Sequence, residues 1–142
     1  MNKTEYGKLV EKQTPNSKLL TNCIKAFVIG GLICVIGEIL RKIYLYYGLS
    51  ADDAGMLVSV TLVFFGALLT GLNIYPKIAK HGGAGTLVPI TGFANSVAAP
   101  ALEAKTEGYI LGVGAKIFTI AGPVILFGVM ASVIAGIVYL IF

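Results

Sequence analysis

From Ile117 to Phe142 the chain carries no charged side chain. At a rise of about 1.5 Å per residue, a helix of that length crosses the ~30 Å hydrocarbon core of a bilayer. An amphipathic helix in water would show a polar face within such a run. Two more stretches of spanning length precede it, Ala26–Tyr47 and Ala54–Tyr75. The chain has 142 residues, 56% of them hydrophobic and only 13% charged. Soluble domains carry about 25% charged residues, and small ones leave much of their surface exposed. The pattern predicts an all-α integral membrane protein, with about three transmembrane helices plus one broken or re-entrant helical segment.

Residues 1–25 read as a basic cytoplasmic N-terminal segment, with Lys3, Lys8, Lys12, Lys18 and Lys25 against Glu5 and Glu11. Residues 26–142 read as the membrane domain, with spans at about 26–47, 54–75 and 117–142 and the broken segment at about 84–102. The net charge of +4 does not indicate nucleic acid, since no basic cluster is interleaved with aromatics in a polar domain. A basic lead followed by an apolar stretch also resembles a secretory signal. No small-residue cleavage site precedes Glu38 and Arg41-Lys42, so an uncleaved first span is expected. Tyr6, Leu9, Val10 and Gln13 are spaced to share one face of a short surface helix. Tyr44, Tyr46 and Tyr47 fall where interfacial aromatics belong. Gly48-Leu49-Ser50 breaks the first helix, and Asp52 and Asp53 suit the first turn of the second. Lysine placement puts the N-terminus inside. Lys77 and Lys80 return inside, and a re-entrant fourth segment keeps Lys105 and Lys116 there, leaving the C-terminus outside.

The segment from Ala84 to Leu102 is uncharged but contains Pro89, Gly92, Asn95, Ser96 and Pro100. Broken backbone at membrane depth survives only when buried in protein or lining water. On a helix, Thr91 and Asn95 would share a face, as would Gly92 and Ser96. These groups suit either a path for a polar solute or a polar contact between helices. Glu38, with Arg41 and Lys42 close behind on the first span, suits a vestibule position or a snorkelling cluster. Lys116 lies nearer a helix end and suits snorkelling. Gly30 and Gly37 on the first span suit close helix approach, as do Gly128, Ser132 and Gly136 at four-residue intervals on the last. Pro123 after Gly122 should kink that last helix.

Little points to an enzyme. His81 stands in a glycine-rich turn, and no G-x-S-x-G, H-E-x-x-H or phosphate-binding loop is present. Cys23 and Cys34 are separated by about 16 Å of helix, too far for a disulfide, and have no histidine at metal-ligand spacing. No catalytic residue, metal or cofactor is expected.

The run Gly83-Ala84-Gly85-Thr86-Leu87-Val88-Pro89-Ile90-Thr91-Gly92-Phe93-Ala94-Asn95-Ser96 resembles the SpoVA family of endospore-forming Firmicutes. So do Glu103-Ala104-Lys105-Thr106-Glu107-Gly108 and Ala121-Gly122-Pro123-Val124. The resemblance implies a subunit in the spore inner membrane. It implies a role in moving dipicolinic acid, with calcium, into the forespore and out during germination. The implied partners are a homologous AE-type membrane subunit and a soluble AD-type protein. An oligomer in membrane lipid is expected, because three spans are too few to enclose a wide path. The alternative is a non-conducting structural subunit that anchors the soluble partner. No catalytic residue carries over. The residues expected to face the solute are Thr91, Gly92, Asn95, Ser96 and Glu38.

Overall fold

A computed structural model describes residues 18–141 together with Tyr6 and Gly7. The described chain is all-helical, and three of its helices are long and apolar enough to cross a membrane. The expected surface helix through Leu9, Val10 and Gln13 lies outside the described residues, although Tyr6 and Gly7 are helical and exposed.

Helix α1 spans Leu19–Tyr46. It ends because Gly48 turns left-handed at φ +88°. The Leu49 and Gly48 amides then return to the carbonyls of Tyr44 and Leu45, a Schellman closure of the last turn. Helix α2, Ala51–Gly71, starts on Ser50, whose Oγ accepts from the Asp53 amide at 3.1 Å. The same hydroxyl donates to the Asp53 carboxylate at 2.6 Å. Asp52 and Asp53 occupy the first turn, where the helix dipole favours negative charge. At the far end Asn73 adopts φ +57°. The amides of Ile74 and Asn73 bond back to Leu69 and Thr70, so the stop precedes Pro76. Asparagine is one of the few side chains that accept this conformation.

Three short helices follow: α3 (Tyr75–Gly82), α4 (Ala84–Leu87) and α5 (Ile90–Glu103). Pro76 sits in the first turn of α3, where its missing N–H costs nothing. Gly83 separates α3 from α4 at φ +48°. Pro89 stands extended at the head of α5, and Pro100 lies inside it. A 3₁₀ turn (Ala104–Glu107), the left-handed Gly108 and a π-helical turn (Tyr109–Gly114) lead into α6, Ala115–Ile141. Helix α6 continues through Pro123. Cys23 and Cys34 are free and exposed.

Packing centres on α5 against α2, with α1 touching α2, α3 and α4 and the start of α6 touching α5. The contact uses small residues. A side chain at Gly66 would meet Ala94 and Thr91 at 3.0 Å, and one at Gly30 would meet Gly85 at 3.1 Å. Such close approach is how helices gain dispersion energy when lipid supplies no hydrophobic drive. The buried side chains are correspondingly small: Ala54, Ala94, Ala101 and Ala104, with Thr70, Thr86 and Thr91, and Tyr75 the large exception.

The register of these contacts fixes direction. Gly66 lies against Thr91 and Ala94, and Thr70 meets Asn95. Residue numbers rise together, so α5 runs in the sense of α2. Helix α1 runs opposite to α2 across the short turn after Tyr46. Gly83 and Ala84 border the first turns of α1 at Asn22, Cys23 and Ala26. The chain therefore leaves that end at α4, and α5 heads back toward it. From Pro123 to Ile141, α6 is exposed on every side.

Candidate functional site

The break between α4 and α5 creates the polar centre of the molecule. Pro89 has no N–H to continue the α4 ladder, so carbonyl groups near the end of α4 need other donors. The Tyr75 hydroxyl donates to the Thr86 carbonyl oxygen at 2.7 Å and lies 2.9 Å from Thr91 Oγ1. Tyr75, Thr86 and Thr91 are all buried. Thr86 Oγ1 donates to the Gly83 carbonyl at 2.9 Å, tying off the other end of the turn. Gly92 folds so tightly under this turn that a Cβ would overlap the Thr86 and Leu87 carbonyl oxygens. Only glycine leaves room for that approach.

One helical turn further on, Thr70 Oγ1 lies 2.7 Å from the Gly66 carbonyl and 2.9 Å from Asn95 Oδ1. A hydroxyl has one proton to offer two acceptors. Turning the Asn95 amide over lets its NH₂ donate to Thr70 while Thr70 donates to Gly66, which satisfies all three groups. Ser96 Oγ donates to the Phe93 carbonyl at 2.8 Å. Asn95 and Ser96 are half-buried. Among the described residues no buried side-chain nitrogen or oxygen lacks a partner.

The structure thus brings Thr91, Gly92 and Asn95 together at the α2–α5 contact, with Ser96 following on α5. It does not bring in Glu38, whose carboxylate is held by Arg41 on its own helix at 2.7 and 2.8 Å. Gly30 meets Gly85, and Gly37 has ordinary contact with Leu62 at 3.6 Å. Gly128 and Gly136 have nothing within 4 Å, and Ser132 Oγ bonds the Gly128 carbonyl of its own helix at 2.9 Å. Beside the polar cluster lies an apolar cavity of about 190 Å³, walled by Ile33, Leu62, Phe65 and Ile78, with Tyr75 and Thr91 at its edge.

Residue-level reading missed Tyr75 and Gly85. Tyr75 touches partners 11 and 16 positions along the chain, and no local pattern announces such a pairing. Gly85 carried one signal, its place in the run Gly82-Gly83-Ala84-Gly85. A side chain there would overlap the Ala26 carbonyl oxygen.

The Tyr75 assignment gives a direct test. Among the described residues the Tyr75 hydroxyl is the donor to the Thr86 carbonyl, so Tyr75→Phe leaves that acceptor buried and unpaired, which costs about 1–3 kcal/mol. The variant should insert but unfold at lower temperature in detergent. Unchanged thermal unfolding would mean that Tyr75 does not hold the turn.

Chemically, the cluster is made of hydroxyls, an amide and the backbone carbonyls of the α4–α5 turn. It contains no general base or nucleophile pair, and among the described residues no three His, Cys, Asp or Glu side chains converge. Its groups are neutral donors and acceptors that impose no fixed charge.

No solved structure matches this chain. Stage V sporulation protein AC of Bacillus subtilis (strain 168) is 45% identical over 137 residues, covering 96% of this chain and 91% of that protein. The SpoVAC/SpoVAEB sporulation membrane protein family matches residues 22–138, a stretch that includes α2–α5 and most of α1 and α6. With three spanning-length helices and this match over most of its length, the chain belongs to the SpoVAC/SpoVAEB family of sporulation membrane proteins.

Proposed function

We propose that this chain is a subunit of a spore inner-membrane complex that moves dipicolinic acid, with calcium, into the forespore and out again during germination. Its partners on this reading are an AE-type membrane subunit and a soluble AD-type protein. The observation that carries the reading is a neutral polar cluster built on broken backbone against a helix of spanning length, α2. A dicarboxylate does not cross hydrocarbon unaided, and its path must supply polar groups at membrane depth. Thr91, Gly92, Asn95 and Ser96 supply them, and Glu38 stands as a separate charged position on α1. The test is dipicolinate release from vesicles carrying this chain and both partners. Release should vanish when this chain is omitted, and equal release without it would sink the proposal.

Residues 84–102 form, on this reading, a re-entrant hairpin in which α4 enters the membrane and α5 leaves by the same side. The shared direction of α5 and α2 supports it. The N-terminus is then inside and the C-terminus outside. Asn2→Cys and Phe142→Cys, each in a background without Cys23 and Cys34, should react with an impermeant thiol reagent from opposite sides. Labelling of both from one side would refute the hairpin.

The bare second half of α6 supports an oligomer. Gly128, Ser132 and Gly136 line one face of it, and small residues at this spacing admit a second helix. Gly128→Leu should lower the assembled fraction in detergent and in lipid. An unaltered size distribution for this change and for Gly136→Leu would remove that face from the interface.

A second reading has one observation in its favour. Thr91 and Asn95 are both engaged in contacts within the chain, which suits a non-conducting subunit that anchors the soluble partner. Stoichiometric partner binding by a chain that conducts nothing would decide for it.

A further inference from the structure

A second cavity, open on one side, lies between the first turns of α1 and the end of α3. Its volume is about 290 Å³ and it is lined by Asn22, Cys23, Ala26, Lys80, His81 and Gly83, with Ala84 beside them. Among the described residues its lining includes a lysine, a histidine and an amide but no carboxylate. Lys25 on α1 and Lys77 on α3 lie within three residues of lining positions on the same helices. The described carboxylates belong to other parts of the chain: Glu38 is paired with Arg41, Asp52 and Asp53 begin α2, Glu103 ends α5 and Glu107 ends the 3₁₀ turn after it. His81 Nδ1 is 3.1 Å from the Lys77 carbonyl. A carbonyl only accepts, so Nδ1 carries the hydrogen in this contact. Lys80 is the lysine of the lining and supplies its fixed positive charge.

Depth narrows the ligand. Asn22 and Cys23 precede Ala26, where the uncharged run of α1 begins. The cavity therefore sits at the boundary where lipid phosphates lie, just outside the hydrocarbon. Ala26 and Ala84 give it an apolar wall beside its charged one. A bare inorganic ion gains nothing from that wall, whereas the glycerol and upper acyl carbons of a lipid do.

We propose that this cavity binds the phosphate of an anionic membrane lipid, with Lys80 as its principal cation and Asn22 as a neutral donor. The headgroup bridges the start of α1 to Gly83 and Ala84, the root of the broken segment.

Two measurements test the assignment on the purified, delipidated full chain. The first is native mass spectrometry with phosphatidylglycerol and phosphatidylcholine of matched acyl chains. The parent should retain phosphatidylglycerol preferentially. Lys80→Gln should weaken that retention about fivefold, the usual effect of one basic side chain at an anionic surface. Lys105→Gln, an equal change of net charge elsewhere, should leave it intact. The second uses Cys23 as a reporter in a Cys34→Ala background and needs no change to the cations. Phosphatidylglycerol should slow alkylation of Cys23, and neither phosphatidylcholine nor inorganic phosphate should. The proposal is overturned by a parent with no lipid preference, or by equal losses in Lys80→Gln and Lys105→Gln. It is also overturned if inorganic phosphate protects Cys23 as well as phosphatidylglycerol does, because the site then takes free anions.

Discussion

Gly85→Ala should detach the broken segment from α1 and produce the largest loss of stability of any single methyl added to this chain. The new Cβ would overlap the Ala26 carbonyl oxygen and crowd the Ala26 backbone around it. A flexible side chain could swing aside, but backbone in the second turn of a long helix cannot. The expected cost is about 3 kcal/mol, the upper end for an overpacked contact. Helix α1 keeps its length and hydropathy, so the variant should still insert. What changes is the hold on α4, and with it the Thr86–Tyr75–Thr91 network one turn away. Thermal unfolding in detergent and protease sensitivity between Gly82 and Pro89 measure the effect. Gly71→Ala is the control, since a Cβ there meets nothing within 4 Å. If both variants unfold alike, the α1–α4 approach does not hold the fold together.

Asn95→Leu should cut solute flux by roughly tenfold while the protein still inserts. Losing one hydrogen-bonding group along a path is worth about 1.4 kcal/mol, and that converts to a factor of ten in rate. The structure supplies the control that separates conduction from packing. Asn95 is held by Thr70 at 2.9 Å, so Thr70→Val removes the partner and keeps the amide. If Asn95 faces the solute, Asn95→Leu lowers dipicolinate release from reconstituted vesicles far more than Thr70→Val does. If Asn95 only joins α2 to α5, the two variants lose stability alike and conduct alike. Asn95→Asp adds a second reading, because a negative charge at this point should shift preference from anions toward cations. Parent-like conduction by both Asn95 variants would move the path elsewhere, with the Glu38 face of α1 the next place to look.

The sequence by itself determined the solvent this chain folds in and the number of its long helices. Those follow from properties summed over neighbouring residues: charge-free runs, hydropathy, and the Gly48 and Pro89 breaks. It also marked residues 84–102 as unlike the spans, because proline, glycine and asparagine together violate what lipid allows. Asn73 was different. It closes α2 at φ +57°, and a side chain's identity does not announce a left-handed turn that asparagine only tolerates.

Which polar groups meet was decided by tertiary structure alone. Thr91 and Asn95 share a face in any helical reading, but their partners Tyr75 and Thr70 lie 16 and 25 residues away. The direction of α5 likewise has no local signature, since a helix of this composition is equally apolar run either way. It goes with the α2–α5 register at Gly66, where a Cβ would meet Thr91 and Ala94 at 3.0 Å. The physical reason is common to all of these. Hydropathy is a property each residue carries into any fold, whereas close approach and hydrogen-bond satisfaction are properties of pairs that exist only once the chain has brought them together.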